Sequence, residues 1–191
     1  MTTTSFGPGR FQTEGQRMYD AMNPDPAALD LLDISISLGN ICRFGGHIRS
    51  FYSVADHSRF VARILKSRGE PRAVQLAGLI HDVVEVVTGD VIGPMKEIYG
   101  ESLAKVEALW TPVVEKWFGL PEAATHSSDV KHADLTAYFI ETERLRGWRA
   151  QDSTYTHTEY SLWETPSTPY VGGGLWRDEV KKILDPLGIR K

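Results

Sequence analysis

The segment Leu79-Ile-His-Asp-Val-Val-Glu-Val-Val-Thr-Gly-Asp90 sets an imidazole and several carboxylates into an otherwise apolar run. On a helix, His81 and Glu85 lie four apart and share a face, and Asp82 and Glu85 lie three apart. One element therefore aims a nitrogen ligand and two carboxylates at a common volume. Burying unpaired carboxylates costs several kcal/mol each, and no lysine or arginine stands within the run to offset them. A solvated helix edge is the plain alternative for a lone His-Asp pair; the apolar setting favours a bound cation instead. Two other segments can complete its shell. His57 sits early in a segment that starts at Ser53. Asp134 lies in Val130-Lys-His-Ala-Asp-Leu-Thr-Ala-Tyr138, where Ala133, Leu135, Ala137 and Tyr138 suggest a buried face.

The elements that must position these groups read as helices. Leu29, Leu32, Ile34, Ile36 and Leu38 support a short helical segment, followed by a turn at Gly45-Gly46. Ser53 can cap the next helix, with Asp56 as a first-turn carboxylate; Val54, Phe60, Val61, Ile64 and Leu65 form its apolar side. Pro71 suits the first turn of the following helix, which carries Val74, Leu76, Leu79, Ile80, Val83, Val84 and Val87. That helix is apolar on most of its circumference, as a central element should be. Further helices are expected over Ser102 to Trp117, Ser128 to Arg146 (stopped by Gly147), and around Trp176 to Leu184. No alternating pattern persists long enough to predict a sheet. The expected fold is all-α: a single helical bundle over residues 27–191, with an irregular N-terminal arm over 1–26 and a long late loop, 147–174. Tyr155, Tyr160, Trp163 and Tyr170 make that loop too aromatic for a free linker, so it is expected to pack on the domain or on a partner subunit.

Composition narrows the function classes. With 191 residues and a hydrophobic fraction of 41%, the chain can bury a core without a structural metal. A net charge of −4 argues against coating a nucleic-acid polymer, which calls for a clustered basic surface. It leaves room for a small phosphorylated ligand. The single cysteine, Cys42, rules out an internal disulfide and fits a reducing compartment. The N-terminus lacks a secretory-type apolar run, and no stretch is long enough for a membrane span. A cytoplasmic protein without membrane attachment is expected.

The order His57, His81-Asp82, Asp134 resembles the HD superfamily of metal-dependent phosphohydrolases. Tyr52-Ser-Val-Ala-Asp-His-Ser58 resembles the first-histidine segment of that family. Glu85, Thr88-Gly89-Asp90 and Pro94-Met-Lys96 resemble its 5′-deoxynucleotidase branch, and Lys131-His-Ala-Asp-Leu-Thr-Ala-Tyr138 resembles its final-aspartate helix. The resemblance covers roughly Leu29 to Leu145. It implies that His57, His81, Asp82 and Asp134 hold one divalent metal. Mixed nitrogen and carboxylate ligands suit Mn, Co, Fe, Ni or Zn better than Ca. Such a metal polarises a phosphoryl oxygen and acidifies a bound water. Glu85 would orient or deprotonate that water. Asp90 would act near the leaving-group oxygen or help hold a second metal such as Mg. Arg43-Phe44 also matches this branch, in which an Arg meets phosphate and an aromatic ring meets the nucleoside; Phe44 replaces the commoner Trp. Arg's fixed fork suits phosphate oxygens, and a ring face suits a base. Core packing is the competing role for Phe44, and Lys96 is a further candidate phosphate ligand.

The resemblance implies a deoxynucleotide substrate and a homodimer or larger assembly. A monophosphatase would release phosphate from a dNMP. A triphosphohydrolase, resembling the HD-domain phage enzymes that deplete dATP, would release triphosphate. Hydrolysis of a guanosine polyphosphate fits Arg43-Phe44 and Thr88-Gly89-Asp90 less well. A metal-containing nucleotide-binding module without activity is the alternative of another class, and intact Glu85 and Asp90 argue against it. His47, His126, His132 and His157 are assigned no ligand role. Asp134 and His132 point to different helix faces.

Overall fold

The computed structural model describes residues 7–149, 151 and 153–189. The first six residues of the N-terminal arm lie outside the described residues. The described residues are all-α apart from one antiparallel hairpin, β1 (Arg10–Gln12) and β2 (Met18–Asp20), paired in the register Phe11 to Tyr19. The region expected to be irregular thus contains a small sheet. Its strands are too short to leave an alternating pattern in the sequence, and a distant residue secures them. Tyr19 is buried between Phe11 and Trp110, whose indole N–H donates to the Ala21 carbonyl at 3.1 Å.

α1 (Leu31–Asn40) is capped by the Asp30 carboxylate, which accepts from the Leu32 and Asp33 N–H groups. α2 (Val54–Ser67) starts as its sequence predicts, with Ser53 Oγ accepting from Asp56 N at 3.0 Å. α3 (Arg72–Ile80) and α4 (Glu85–Thr88) follow. α5 (Gly93–Trp117) begins nine residues before the predicted Ser102 and breaks direction at Gly100, whose φ of 49° and ψ of −128° are open only to glycine. α6 (Ser128–Glu141) widens into a π turn over Thr142–Arg146 and stops at left-handed Gly147. α7 (His157–Ser161) is a single short helix held by a Thr156/Glu159 capping box. α8 (Pro169–Leu184) closes the bundle.

Two of these differ from expectation for reasons of packing. The central helix does not run through His81. The carbonyls of Gly78 and Leu79, which a continuing α-helix would offer to backbone N–H groups, are taken by side chains: His81 Nδ1 donates to Gly78 at 2.8 Å and Trp176 Nε1 to Leu79 at 2.7 Å. The backbone answers with tighter i→i+3 bonds, Val83 to Ile80, Glu85 to Asp82, Val86 to Val83 and Val87 to Val84. Residues three apart then eclipse, so Asp82 pairs in direction with Glu85 more closely than His81 does. The last helix also starts earlier than Trp176 and absorbs Gly172 to Gly174. There the missing side chains let α8 lie on α1: a Cβ on Gly173 would sit 2.0 Å from the Ser35 carbonyl oxygen, and one on Gly39 would sit 2.5 Å from the Pro169 carbonyl oxygen.

One core joins Ile34, Leu38, Val54, Leu76, Leu79, Trp110 and Trp176; another joins Phe60, Val61, Ile64, Leu65, Ala133, Ala137 and Ile140. Trp163 from the late loop packs on Tyr52 and Phe60, and Tyr155 stacks on Tyr160, so much of that loop belongs to the domain. Tyr170 remains largely exposed. Leu135, expected on a buried face, is half exposed because it faces the cleft described next.

Candidate metal centre

α2, the tight turn after α3, and α6 converge on one point. His57 is fully buried, His81 and Asp82 stand on the turn, and Asp134 reaches in from α6 with its side chain 42% exposed. His57 Nε2 lies 3.3 Å from His81 Nε2, 3.4 Å from Asp82 Oδ2 and 3.0 Å from Asp134 Oδ1. His81 Nε2 lies 3.2 Å from Asp82 Oδ2 and 3.8 Å from Asp134 Oδ1. Ligands about 2.1 Å from one ion sit about 3.0 Å apart at right angles and about 3.4 Å apart at the tetrahedral angle. These separations fall close to that range, and His57, His81 and Asp82 form a group that can hold a metal ion.

The ring orientations are fixed from behind. His57 Nδ1 donates to Glu141 Oε1 at 2.6 Å, and His81 Nδ1 donates to the Gly78 carbonyl. With both Nδ1 positions protonated, two neutral imidazoles present Nε2 lone pairs to each other at 3.3 Å. That approach is repulsive unless a cation or a proton lies between. The donor set therefore fits a divalent ion.

Burial and Arg43 act against protonating His57, yet Glu141 and Asp134 outweigh them and its pKa is raised. Burial likewise opposes protonation of His81, and Asp82 and Asp134 carry its pKa well above the ordinary value. Burial works to raise Asp82 and Asp134, but the two histidines hold both below the usual carboxylate range. Glu85 moves the other way. Burial first, then Asp82 and Asp90, pushes it well up, and its Oε2 is buried without a hydrogen-bond partner.

A cleft of about 580 Å³ opens above the cluster and is lined by Arg43, Phe44, Asp82, Glu85, Asp90, Lys96 and Asp134 among others. It thus gathers all the remaining site residues expected from the sequence. Arg43 is placed by a short bridge in which Arg43 N donates to Tyr52 O and Val54 N to Ile41 O. Its Nη1 lies 3.3 Å from Asp82 Oδ2 and 3.9 Å from Asp90 Oδ1. The next residues, Phe44, Gly45 and Gly46, are all left-handed, with φ of 58°, 57° and 78°. Such a conformation in a bulky residue costs on the order of 1 kcal/mol and more, and is typical of sites. Asp90 Oδ2 accepts from Gly45 N at 3.4 Å, which ties this turn to the cluster. Phe44 is 8% exposed and stacks behind Tyr138 at 6.0 Å, so Tyr138 offers the cleft more ring than Phe44 does. Lys96 pairs with Glu107 at 3.7 Å and stands where the cleft meets a second recess of about 220 Å³, lined also by Thr111, His126 and Lys131.

Sequence reasoning passed over Glu141. It is fully buried and seven residues, about two turns, after Asp134, hence on the same face. A charged residue beside Ala137 and Ile140 was the available signal. Tyr138 was read only as part of a buried face, and Lys131 only as a motif letter.

No family model matches the chain. It is 32% identical over 139 residues to the uncharacterized protein RCAP_rcc00048 of Rhodobacter capsulatus, across 69% of this chain and 70% of that protein. The chain belongs to the same family as that protein. It is also 36% identical over 129 residues to the uncharacterized protein YfdR of Escherichia coli, a match spanning 66% of this chain and 64% of YfdR.

Proposed function

We propose that this protein is a metal-dependent phosphohydrolase of the HD type that hydrolyses the phosphate ester of deoxynucleotides, acting as a 5′-deoxynucleotidase. The observation that carries the proposal is the pair of His Nε2 lone pairs, fixed from behind and turned onto Asp82 and Asp134, at the floor of a cleft that also holds Arg43 and Glu85. A divalent ion such as Mn, Co, Fe, Ni or Zn, held by His57, His81, Asp82 and Asp134, would supply Lewis-acid chemistry. Arg43 offers a planar donor fork for phosphate oxygens. Glu85, with a raised proton affinity and one unpartnered oxygen, takes a proton from the attacking water and can return it to the leaving oxygen. Asp90 holds the Arg43 turn in place and is a candidate for a second ion such as Mg. Tyr138, backed by Phe44, gives the nucleoside a ring to lie on. The preference for a deoxy sugar rests on the resemblance of Thr88-Gly89-Asp90 and Pro94-Met-Lys96 to that branch.

One observation favours a second reading. The recess beyond the cluster carries Lys131, His126 and the shared Lys96. A longer phosphate chain could run there, as a dNTP triphosphohydrolase requires. A panel of dNMPs and dNTPs with Mn or Co, with products resolved, separates the two: free phosphate marks the nucleotidase and triphosphate the other enzyme. Asp82→Ala should abolish turnover and metal binding. A protein that binds metal yet cleaves no nucleotide would be a binding module instead.

A further inference from the structure

We propose that Glu141 is a positioning residue that sets both halves of the site together, aiming His57 at the metal and anchoring Arg43 for phosphate; the phosphate half rests on the hydrolase reading above. Glu141 ends α6 with its side chain wholly buried. Its Oε1 accepts two hydrogen bonds, from His57 Nδ1 at 2.6 Å and from the Tyr52 hydroxyl at 2.9 Å. Its Oε2 lies 3.4 Å from Arg43 Nε, and that oxygen and that nitrogen are both buried without another partner. One carboxylate therefore touches a metal ligand with one oxygen and a phosphate-binding candidate with the other.

The two contacts have different consequences. An ionised carboxylate only accepts, so it obliges His57 to carry its proton on Nδ1 and to leave Nε2 for the cluster. On the Arg43 side the contact is at Nε, away from the Nη atoms. Nη1 is drawn to Asp82 and Asp90. With Asp82 engaged as a metal ligand that attraction would weaken, whereas Glu141 would keep its hold because His57 stands between it and the cluster. Arg43 can then pivot about Nε and present its Nη donors to a phosphate oxygen. A buried carboxylate serving stability alone would be replaceable by an amide or apolar group with little effect on either ligand.

Glu141→Gln in the full chain tests this. Cobalt(II) and inorganic phosphate are the probes, read by calorimetry and by the visible absorption of the cobalt protein. Cobalt affinity should fall roughly 10–100-fold, the range seen when a carboxylate behind a metal-bound histidine is removed. At saturating cobalt the absorption bands should shift and phosphate affinity should drop. Unchanged bands and unchanged phosphate affinity at saturation would overturn the proposal, whatever the variant's melting temperature. Should the variant not fold, nitrogen-15 NMR of the zinc-loaded wild type decides: His57 protonated at Nδ1 supports the assignment, and the opposite tautomer overturns it. Neither probe needs turnover. A wild type that binds cobalt and phosphate but cleaves no nucleotide removes the hydrolase reading and leaves this one standing.

Discussion

At His57 and His81 a proton and a metal ion would compete for the same Nε2 lone pairs. Both pKa values are raised by the neighbouring carboxylates in the folded protein. A histidine raised in this way stabilises the fold fully below its unfolded pKa, near 6.5, and the contribution is lost as pH climbs through the folded value. Glu85, also raised, adds a loss in the same direction as pH rises above its unfolded value. The chelated protein should therefore melt at lower temperature as pH is taken upward from about 6.5, while the metal-loaded protein resists the change and binds metal more tightly. Calorimetry with and without chelator across that range checks this; a flat chelated profile would count against it. Glu85→Gln should leave metal binding intact and slow hydrolysis by about 10²–10⁴-fold, the usual weight of a general acid or base. Product assays at saturating metal measure it.

Among the elements, the tight turn between α3 and α4 has the clearest dependence on a remote partner. Trp176→Phe removes the donor to the Leu79 carbonyl and should cost about 1–3 kcal/mol of stability, with a weaker metal site because the turn carries His81 and Asp82. Gly173→Ala places a Cβ 2.0 Å from the Ser35 carbonyl oxygen. Overpacking of this kind costs about 1–3 kcal/mol, and urea denaturation of both variants gives the values. These same features mark what the sequence could not disclose. The convergence of His57, His81 and Asp82 was legible because His81-Asp82 interrupts an apolar run, where a solvated role is expensive, and because the order of His57, His81-Asp82 and Asp134 resembles a known pattern. The caps at Ser53 and Gly147 were legible because capping is local. The break after Ile80 was not, since one of the two side chains that take its carbonyls is a tryptophan almost a hundred residues away. Glycines 172–174 read as loop because a helix face made of missing side chains leaves no periodic signal. The hairpin escaped because three-residue strands carry no period, and Glu141 because one carboxylate late in a helix looks like any solvated end.

For the molecule as a whole, both apolar cores are built from residues other than His57, His81, Asp82 and Asp134. Chelation should lower the melting temperature without unfolding the chain. Metal at about a hundred times its Kd should add about 2.7 kcal/mol, which thermal melts at several metal concentrations will show. The proposed homodimer has a surface to use: Leu32 and Tyr170 flank one groove between α1 and α8, and Val171 and Leu175 continue along α8, all substantially exposed. Light scattering should report a dimer that Tyr170→Asp shifts towards monomer; a monomeric wild type would remove this claim. Among the described residues, no helix is long and apolar enough to cross a membrane.

The tie between Trp176 and the Leu79 carbonyl also has a consequence in time. α8 leaves the ribosome after α2, α3 and α6, yet it secures the turn that bears His81 and Asp82. A nascent chain with α2, α3 and α6 already folded still lacks the clamp that shapes its candidate metal site. Metal loading should then follow synthesis of α8, and a messenger truncated before codon 176 should yield a protein that folds in part and captures metal poorly.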